Sequence, residues 1–274
     1  MTPEEWEELL LGATERVRAK VSALARKGEG RNSVGVGASG DKTLLADKAA
    51  EDELMEALLG VAGARVLSEE AGFRGDPEAS TLAVVDPLDG SSNFAKGIPF
   101  YCTSVAVVEG KSLEDIKVGV VRDLVSGDVY HAVKGKGAKR NGVPVRTSGV
   151  ADVSRAVVGM DISRGSAELI RRLTPLINVA GRQVHFGANA LELSCMAGGT
   201  IDAFVDLRGK IRITDLAAAY LVAAEAGSVI SGPRGEELEA VFDLEHRLSF
   251  VASADVRLHK EILELCRPAG PGRV

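Results

Sequence analysis

Residues 83–100 read AVVDPLDGSSNFAKGIPF and place two carboxylates at the end of a short apolar run. The run predicts a buried strand that ends on Asp86, and Asp89 follows three residues later. Ligands of α/β proteins bind where strands end. The two carboxylates, with the carbonyl of Leu88 between them, offer three oxygen donors in four residues. That donor set suits a hard divalent cation such as Mg²⁺.

The residues that follow Asp89 are small and polar, and they predict the start of a helix. The N–H groups of Gly90, Ser91 and Ser92 would have no helical acceptor and would face an anion such as phosphate. The alternative is structural, because Asp86 and Asp89 could also form a turn or cap a helix. This stretch alone leaves both interpretations open.

Further acids lie at other predicted element boundaries. Glu69 follows an apolar strand, Asp215 begins a helix rich in small residues, and Asp47 opens the helix after a glycine-rich segment. If they converge with Asp86 and Asp89, these acids form a multi-metal site of the kind that hydrolyses phosphate esters.

Strand and helix patterns alternate along the chain and predict a layered mixed α/β fold. We expect one unit spanning residues 1–274, with a metal-binding half at 1–150 and a substrate half at 151–274. The glycine-rich segment 28–42 is predicted to be a mobile loop or a loose hairpin. Helices are predicted at 3–27, 45–59, 167–176, 188–196, 215–226 and 256–265. Strands are predicted at 64–67, 81–85, 103–108, 117–121, 128–132, 184–186, 201–206 and 248–252.

Composition excludes several classes of protein. The formal net charge of −6 argues against a nucleic-acid surface, which needs a basic patch. No apolar run approaches the roughly 18 residues of a membrane span. The three cysteines form no C-x-x-C pair, which favours a reducing cytoplasm. Residues 35–40 match G-x-G-x-x-G, but no apolar strand precedes them, so a flexible loop is favoured over a nucleotide site.

Three motifs together resemble the inositol monophosphatase superfamily. They are LSEEAG at 67–72, DPLDGSSNF at 86–94 and TDLAAAYLVAAEAG at 214–227, in the order typical of that family. DPLDGSSN is also the form found in fructose-1,6-bisphosphatases of the superfamily. FVDLRGKIRITD at 204–215 resembles the archaeal members, which are often dual inositol monophosphatase/fructose-1,6-bisphosphatases. The resemblance implies a layered αβαβα sandwich, a homodimer and hydrolysis of phosphate monoesters by metal-activated water.

The resemblance also implies roles for individual residues. Metal ligands for two or three Mg²⁺ ions would be Glu69, Asp86, the Leu88 carbonyl, Asp89, Asp215 and, for a third ion, Asp47. Catalytic residues would be Asp47, Glu69, Asp89 and Ser91, with Ser91 orienting the nucleophilic water. Substrate-binding residues would be Gly90, Ser91, Ser92, Asn189 and Asp206. Near Asp206 this chain adds Arg208 and Lys210, which depart from the family pattern and which we also expect to bind substrate.

The cations after Asp206 bear on the choice of substrate. If the strand stays extended, Arg208, Lys210 and Arg212 project to one face and would meet a second phosphate. The alternative is a solvated basic strand edge. We therefore expect hydrolysis of both fructose 1,6-bisphosphate and inositol 1-phosphate.

Two other functions remain open at this point. One is a 3′(2′),5′-bisphosphate nucleotidase of the same fold, and the other is a non-catalytic, metal-binding regulatory subunit. Loss of a ligand would favour the regulatory subunit, but every acid of the motifs is present. The expected partner is a small phosphorylated sugar or polyol in the cytoplasm, with no nucleic acid and no membrane.

Overall fold

Two large β-sheets, a two-stranded hairpin and three layers of helices make up the fold, seen in a computed structural model that describes residues 1–60 and 64–268. Within these residues the helices are α1 (Pro3–Arg26), α2 (Leu45–Leu59), α3 (Ser91–Lys96), α4 (Ala167–Val179), α5 (Asn189–Ala197), α6 (Ile213–Glu225) and α7 (Val256–Leu265). The first ten strands are β1 (Ser33–Val36), β2 (Lys42–Leu44), β3 (Ala64–Ser68), β4 (Gly72–Gly75), β5 (Thr81–Asp89), β6 (Cys102–Val108), β7 (Ile116–Asp123), β8 (Val129–Val133), β9 (Ala138–Arg140) and β10 (Val143–Val145). The remaining strands are β11 (Val157–Met160), β12 (Arg182–Val184), β13 (Ala203–Ile211), β14 (Val229–Ser231) and β15 (Leu248–Ser253).

The helices cover both faces of both large sheets. An eight-stranded sheet has the order β10-β9-β8-β7-β6-β5-β3-β4, and a five-stranded sheet has the order β12-β11-β13-β15-β14. Helices α1 and α2 pack on the outer face of the first sheet, α5 and α6 lie between the sheets, and α4 and α7 cover the second sheet. The predicted αβαβα sandwich is therefore confirmed.

Alternating apolar side chains in the strands build the separate cores of this sandwich. In β5, Val85 faces the core formed with α1 and α2, whereas Val84 faces the central layer. In β13, Phe204 faces the central layer and Val205 faces the outer core with α4 and α7. Because each sheet is apolar on both faces, neither of them presents a broad face to water.

Close packing fixes helix α6 against the first sheet. A Cβ added at Gly119 of β7 would lie 2.5 Å from the carbonyl oxygen of Ala218, so only glycine allows this approach. The small residues of α6 thus bring the first turn of the helix, which contains Asp215, up to the sheet. Among the helices of the described residues, none has the length and apolar composition needed to cross a membrane.

Most predicted elements are confirmed, with local differences. The glycine-rich segment forms an antiparallel hairpin of β1 and β2, which is the second of the two predicted forms. The strand predicted at 184–186 lies two residues earlier, at Arg182–Val184, and the strand predicted at 201–206 continues to Ile211. Strands β4, β9, β10, β11 and β14 were not among the predicted strands, and each is only three or four residues long.

Candidate active site

A β-bulge in β5 determines where the two opening carboxylates point. Asp86 pairs with Ser104 of β6, but Asp89 pairs with Cys102, so β5 contains one extra residue. In a regular strand, residues three apart face opposite sides of the sheet. The bulge turns Asp89 back toward the central helices. There its Oδ2 accepts a hydrogen bond from the Ala190 amide at the start of α5, at 2.7 Å.

Glu69, Asp86 and Asp215 form what we call the carboxylate cluster. Each offers one carboxylate oxygen, and the three oxygens lie within 4.8 Å of one another. Glu69 and Asp86 meet because β3 and β5 are parallel neighbours, with Ser68 opposite Val85. Asp215 joins them from the first turn of α6, where its Oδ2 accepts a hydrogen bond from the Arg212 amide at 3.2 Å.

The acids of this site lie close together away from water, and the surrounding protein groups do not fully stabilise their negative charge. Burial is the main cause that raises the pKa of Glu69 to about 8 and that of Asp89 to about 8, and the neighbouring Asp215 adds to both shifts. The pKa of Asp86 is raised well above its ordinary value for the same reason, with Glu69 as the next contributor. A divalent cation would relieve this repulsion, and carboxylate oxygens are its preferred ligands. The residues present therefore fit a metal site.

Asp47 lies in a neighbouring group of acids. Its Oδ2 accepts a hydrogen bond from the Leu44 amide at 2.5 Å and so caps α2. Burial raises the pKa of Asp47 to about 7, and the charges of Glu70 and Glu51 add to the shift. Glu70 also accepts a hydrogen bond from the Thr43 hydroxyl. Since Glu70 directly follows Glu69 in the chain, this group adjoins the carboxylate cluster.

The turn after Asp89 has the shape of an anion site. Gly90 has φ 88°, and a Cβ there would lie 3.0 Å from the Phe100 carbonyl oxygen, so the position requires glycine. Helix α3 begins at Ser91, and its first-turn amides have no acceptor within the helix. The side chain of Asn93 anchors this helix by donating to the carbonyl oxygens of Phe100 at 2.8 Å and Phe186 at 2.6 Å.

Two other predicted residues border this turn. Leu88 is buried, and its amide donates to Asp86 Oδ1 at 3.0 Å. Asn189 is the first residue of α5, and its Oδ1 is buried without a hydrogen-bond partner among the described residues.

Arg208, Lys210 and Arg212 were predicted to project to one face of an extended strand, and this prediction is wrong for Arg212. Arg208 Nη2 pairs with Asp206 and Asp161, each at 2.5 Å, and the Lys210 ammonium donates to the Arg164 carbonyl at 3.0 Å. Arg212 instead pairs with Glu69 and Asp41. The alternation breaks because the register of β13 against β15 shifts between Asp206 and Ile211, and Gly209 has φ 64°.

Arg208 is itself almost fully enclosed. Only 8% of its side chain is exposed, and its Nε also donates to both oxygens of Asp206. Burial raises the pKa of Asp206, and the hydrogen bonds from Arg208 oppose that shift. Arg208 and Asp206 thus satisfy each other in the structure.

Three charged residues beside Arg208 were missed by the sequence analysis. Glu192 is fully buried, and its Oε1 accepts hydrogen bonds from the Phe186 and Gly187 amides. His185 lies between Glu192 at 3.1 Å and Asp161 at 3.4 Å. Asp161 directly follows β11, as Asp86 follows an apolar run, so the same strand-end signal could have found it.

Comparison with known proteins agrees with this geometry. A model of the inositol monophosphatase family matches residues 5–269. The fructose-1,6-bisphosphatase/inositol-1-monophosphatase of Methanothermobacter thermautotrophicus is 35% identical over 271 residues, covering 94% of this chain and 95% of that one. The bifunctional NADP phosphatase/NAD kinase of Methanococcus maripaludis is 29% identical over 93% of this chain, but over 48% of that protein.

A solved structure shows the same fold. The crystal structure of the MJ0109 gene product, an inositol monophosphatase-fructose 1,6 bisphosphatase, matches with a TM-score of 0.85 at 30% identity. The match covers 95% of this chain and 99% of that one. Together with the family model, which spans nearly the whole chain, this shows that the protein is a phosphatase belonging to the metal-dependent inositol monophosphatase family.

Proposed function

We propose that the protein is a Mg²⁺-dependent phosphatase that hydrolyses fructose 1,6-bisphosphate and inositol 1-phosphate. The observation that carries the proposal is the carboxylate cluster of Glu69, Asp86 and Asp215, whose buried negative charge calls for a divalent cation. The names of the Methanothermobacter and MJ0109 proteins support the two substrates.

The proposed metal ligands are the predicted ones: Glu69, Asp86, the Leu88 carbonyl, Asp89, Asp215 and, for a third ion, Asp47. When bound, two or three Mg²⁺ ions would neutralise phosphate charge and activate a water molecule. Asp47 Oδ2 is engaged by the Leu44 amide, so Oδ1 is the atom that would hold the third ion or orient the water. The Ser91 hydroxyl would orient the water.

The chain's own groups would bind the rest of the substrate. The amides of Gly90, Ser91 and Ser92 would hold the reacting phosphate at the start of α3. Lys210 is an exposed cation on the strand that carries Asp206, and we assign the second phosphate to it. Arg208 would act mainly by holding Asp206, and Asn189 Oδ1 is an acceptor for a substrate hydroxyl.

A second candidate substrate class is a nucleotide with a ribose phosphate. The Methanococcus relative is named as an NADP phosphatase in part, which favours this class. Phe100 and Phe186 also stack with ring centroids 4.9 Å apart, and Phe186 is 40% exposed beside the turn that α3 starts from. The rings are tilted by 32°, and an exposed aromatic ring at this place suits contact with a nucleobase. The homodimer and the cytoplasmic location remain proposals that rest on the family resemblance and on the cysteine pattern.

Initial rates on a panel of phosphate esters test the proposal. The panel contains fructose 1,6-bisphosphate, inositol 1-phosphate, NADP and 3′-phosphoadenosine 5′-phosphate, each with Mg²⁺ titrated from zero. We expect Mg²⁺-dependent release of phosphate, fastest from the first two esters. Release that is unchanged by chelation would contradict the metal mechanism, and a preference for the nucleotides would replace the proposed substrates with the second class.

A further inference from the structure

Arg212 places a cation directly against the carboxylate cluster. Its Nη1 pairs with Glu69 Oε1, and its Nη2 pairs with Asp41 in the turn between β1 and β2. Only 17% of the Arg212 side chain is exposed, so water screens these pairs weakly. One guanidinium thus joins a proposed metal ligand to the hairpin.

The hairpin turn contacts the main chain of Glu69 and Glu70 and the Glu69 carboxylate. The Ser39 amide donates to the Glu69 carbonyl oxygen at 3.0 Å, and the Ala38 amide donates to that of Glu70 at 2.8 Å. The Ser39 hydroxyl also reaches Glu69 Oε1, at 3.4 Å. The oxygen that pairs with Arg212 is therefore the one that the hairpin contacts as well.

A divalent cation and a guanidinium cannot share this oxygen without cost. Both groups are positive, and at a separation of a few ångströms in a partly buried site their repulsion is substantial. The side chain of Asp41 is 59% exposed and pairs with Nη2 rather than with Nη1, the atom that pairs with Glu69, so it offers Arg212 an alternative partner.

We propose that Arg212 competes with the divalent cation for Glu69, and that Asp41 retains the guanidinium when the cation binds. The inference rests on the proposed function, since it requires a metal at Glu69. Arg212 then acts as a positioning residue that sets the metal affinity below the value the carboxylates alone would give. The contact between Arg212 and the β1–β2 hairpin then also depends on whether a metal is bound.

Isothermal titration with Mg²⁺ and with Mn²⁺, in the absence of substrate, tests the competition on the full chain. We expect Arg212→Gln to bind metal about tenfold more tightly, because one unit charge is removed next to the dication. Arg212→Lys keeps that charge and should stay within about threefold of the wild type. Arg247→Gln is the matched control, since Arg247 acts on Asp215 only through its charge and donates to the carbonyls of Leu244 and His246.

Asp41→Asn gives a change of the opposite sign. Without the alternative partner, Arg212 should hold Glu69 more firmly, so metal binding should weaken by about threefold. Combining it with Arg212→Gln should abolish most of that loss, because the two residues then act through one pair. Hydrogen exchange of residues 33–44 should be faster in Asp41→Asn than in the wild type.

The outcomes separate this inference from the function on which it rests. If the wild type binds no metal, the proposed function fails, and the inference fails with it. If the wild type binds metal but Arg212→Gln binds it no more tightly than Arg247→Gln does, only the competition is overturned. If Arg212→Gln does not fold, unchanged metal affinity in Asp41→Asn overturns it instead.

Discussion

Two groups of charged residues in this molecule contain largely buried acids, and they differ in how their charge is balanced. In the carboxylate cluster with Asp89, burial raises the pKa of the acids, and Arg212 forms an ion pair with one of them, Glu69. On the second sheet, Asp161 and Asp206 are held by Arg208, and Glu192 is held by His185 and two backbone amides.

The difference indicates which group is built for a ligand. An acid that is buried beside its own counter-ion can stay charged at modest cost, whereas several acids buried together need a cation from outside. We therefore assign metal binding to the first group and the shaping of the substrate side to the second. Four substitutions can break or sharpen this distinction.

The largest effect is expected from Asp89→Asn in the first group. Losing this carboxylate removes a proposed metal ligand, so turnover with Mg²⁺ should fall by roughly three orders of magnitude or more, the scale of several kcal/mol of charge stabilisation. The unfolding temperature in EDTA should not fall, because a repulsive charge has been removed. A metal-dependent rate that persists in this variant would contradict the assignment of Asp89 as a metal ligand.

Arg208→Ala should act in the opposite way on stability. It leaves Asp206 and Asp161 buried without their cation, which typically costs about 3–5 kcal/mol of the free energy of unfolding. Denaturant titration measures the loss, and Lys210→Ala is the matched control because Lys210 is exposed. Equal stability of the two variants would show that the second group is not held together by this pair.

Lys210→Ala should change substrate preference and leave stability unchanged. If Lys210 meets the second phosphate, its loss should raise the KM for fructose 1,6-bisphosphate about tenfold, the share of one exposed charged hydrogen bond. The KM for inositol 1-phosphate should stay the same. A parallel rise for both substrates would place Lys210 at the common phosphate.

The smallest effect is expected from His185→Gln. The hydrogen bond with Glu192 raises the pKa of His185 above 6.5, so the folded state binds this proton more tightly than the unfolded chain does. That stabilisation is complete below the unfolded pKa and is lost as the pH rises through the folded value. In the variant, the pH-dependent part of the unfolding free energy that this pair contributes should be absent. That part is less than about 1 kcal/mol, because the ring is near the surface and water screens the interaction. An unfolding free energy with the same pH profile in both proteins would contradict the predicted link.

The sequence was sufficient for features that are local in the chain. Glu69 and Asp86 were recognised because each one lies at the end of an apolar run, and β3 and β5 bring them together as parallel neighbours. The side to which Asp89 points depends on a bulge, which the motif does not reveal.

Features that depend on distant parts of the chain could not be predicted. Arg212 leaves the face of Arg208 because of the positive φ of Gly209 and the shifted register between β13 and β15. His185 contacts Glu192 because the turn before α5 folds back, and no local sequence pattern predicts that turn.

The most direct test of the account is a crystal structure of the protein grown with Mn²⁺, with anomalous diffraction data to locate the metal. The account predicts anomalous peaks in contact with the carboxylates of Glu69, Asp86 and Asp215, and none beside Asp161 and Asp206. An absence of metal at the carboxylate cluster in crystals of active protein, or a peak only at the second group, would contradict it.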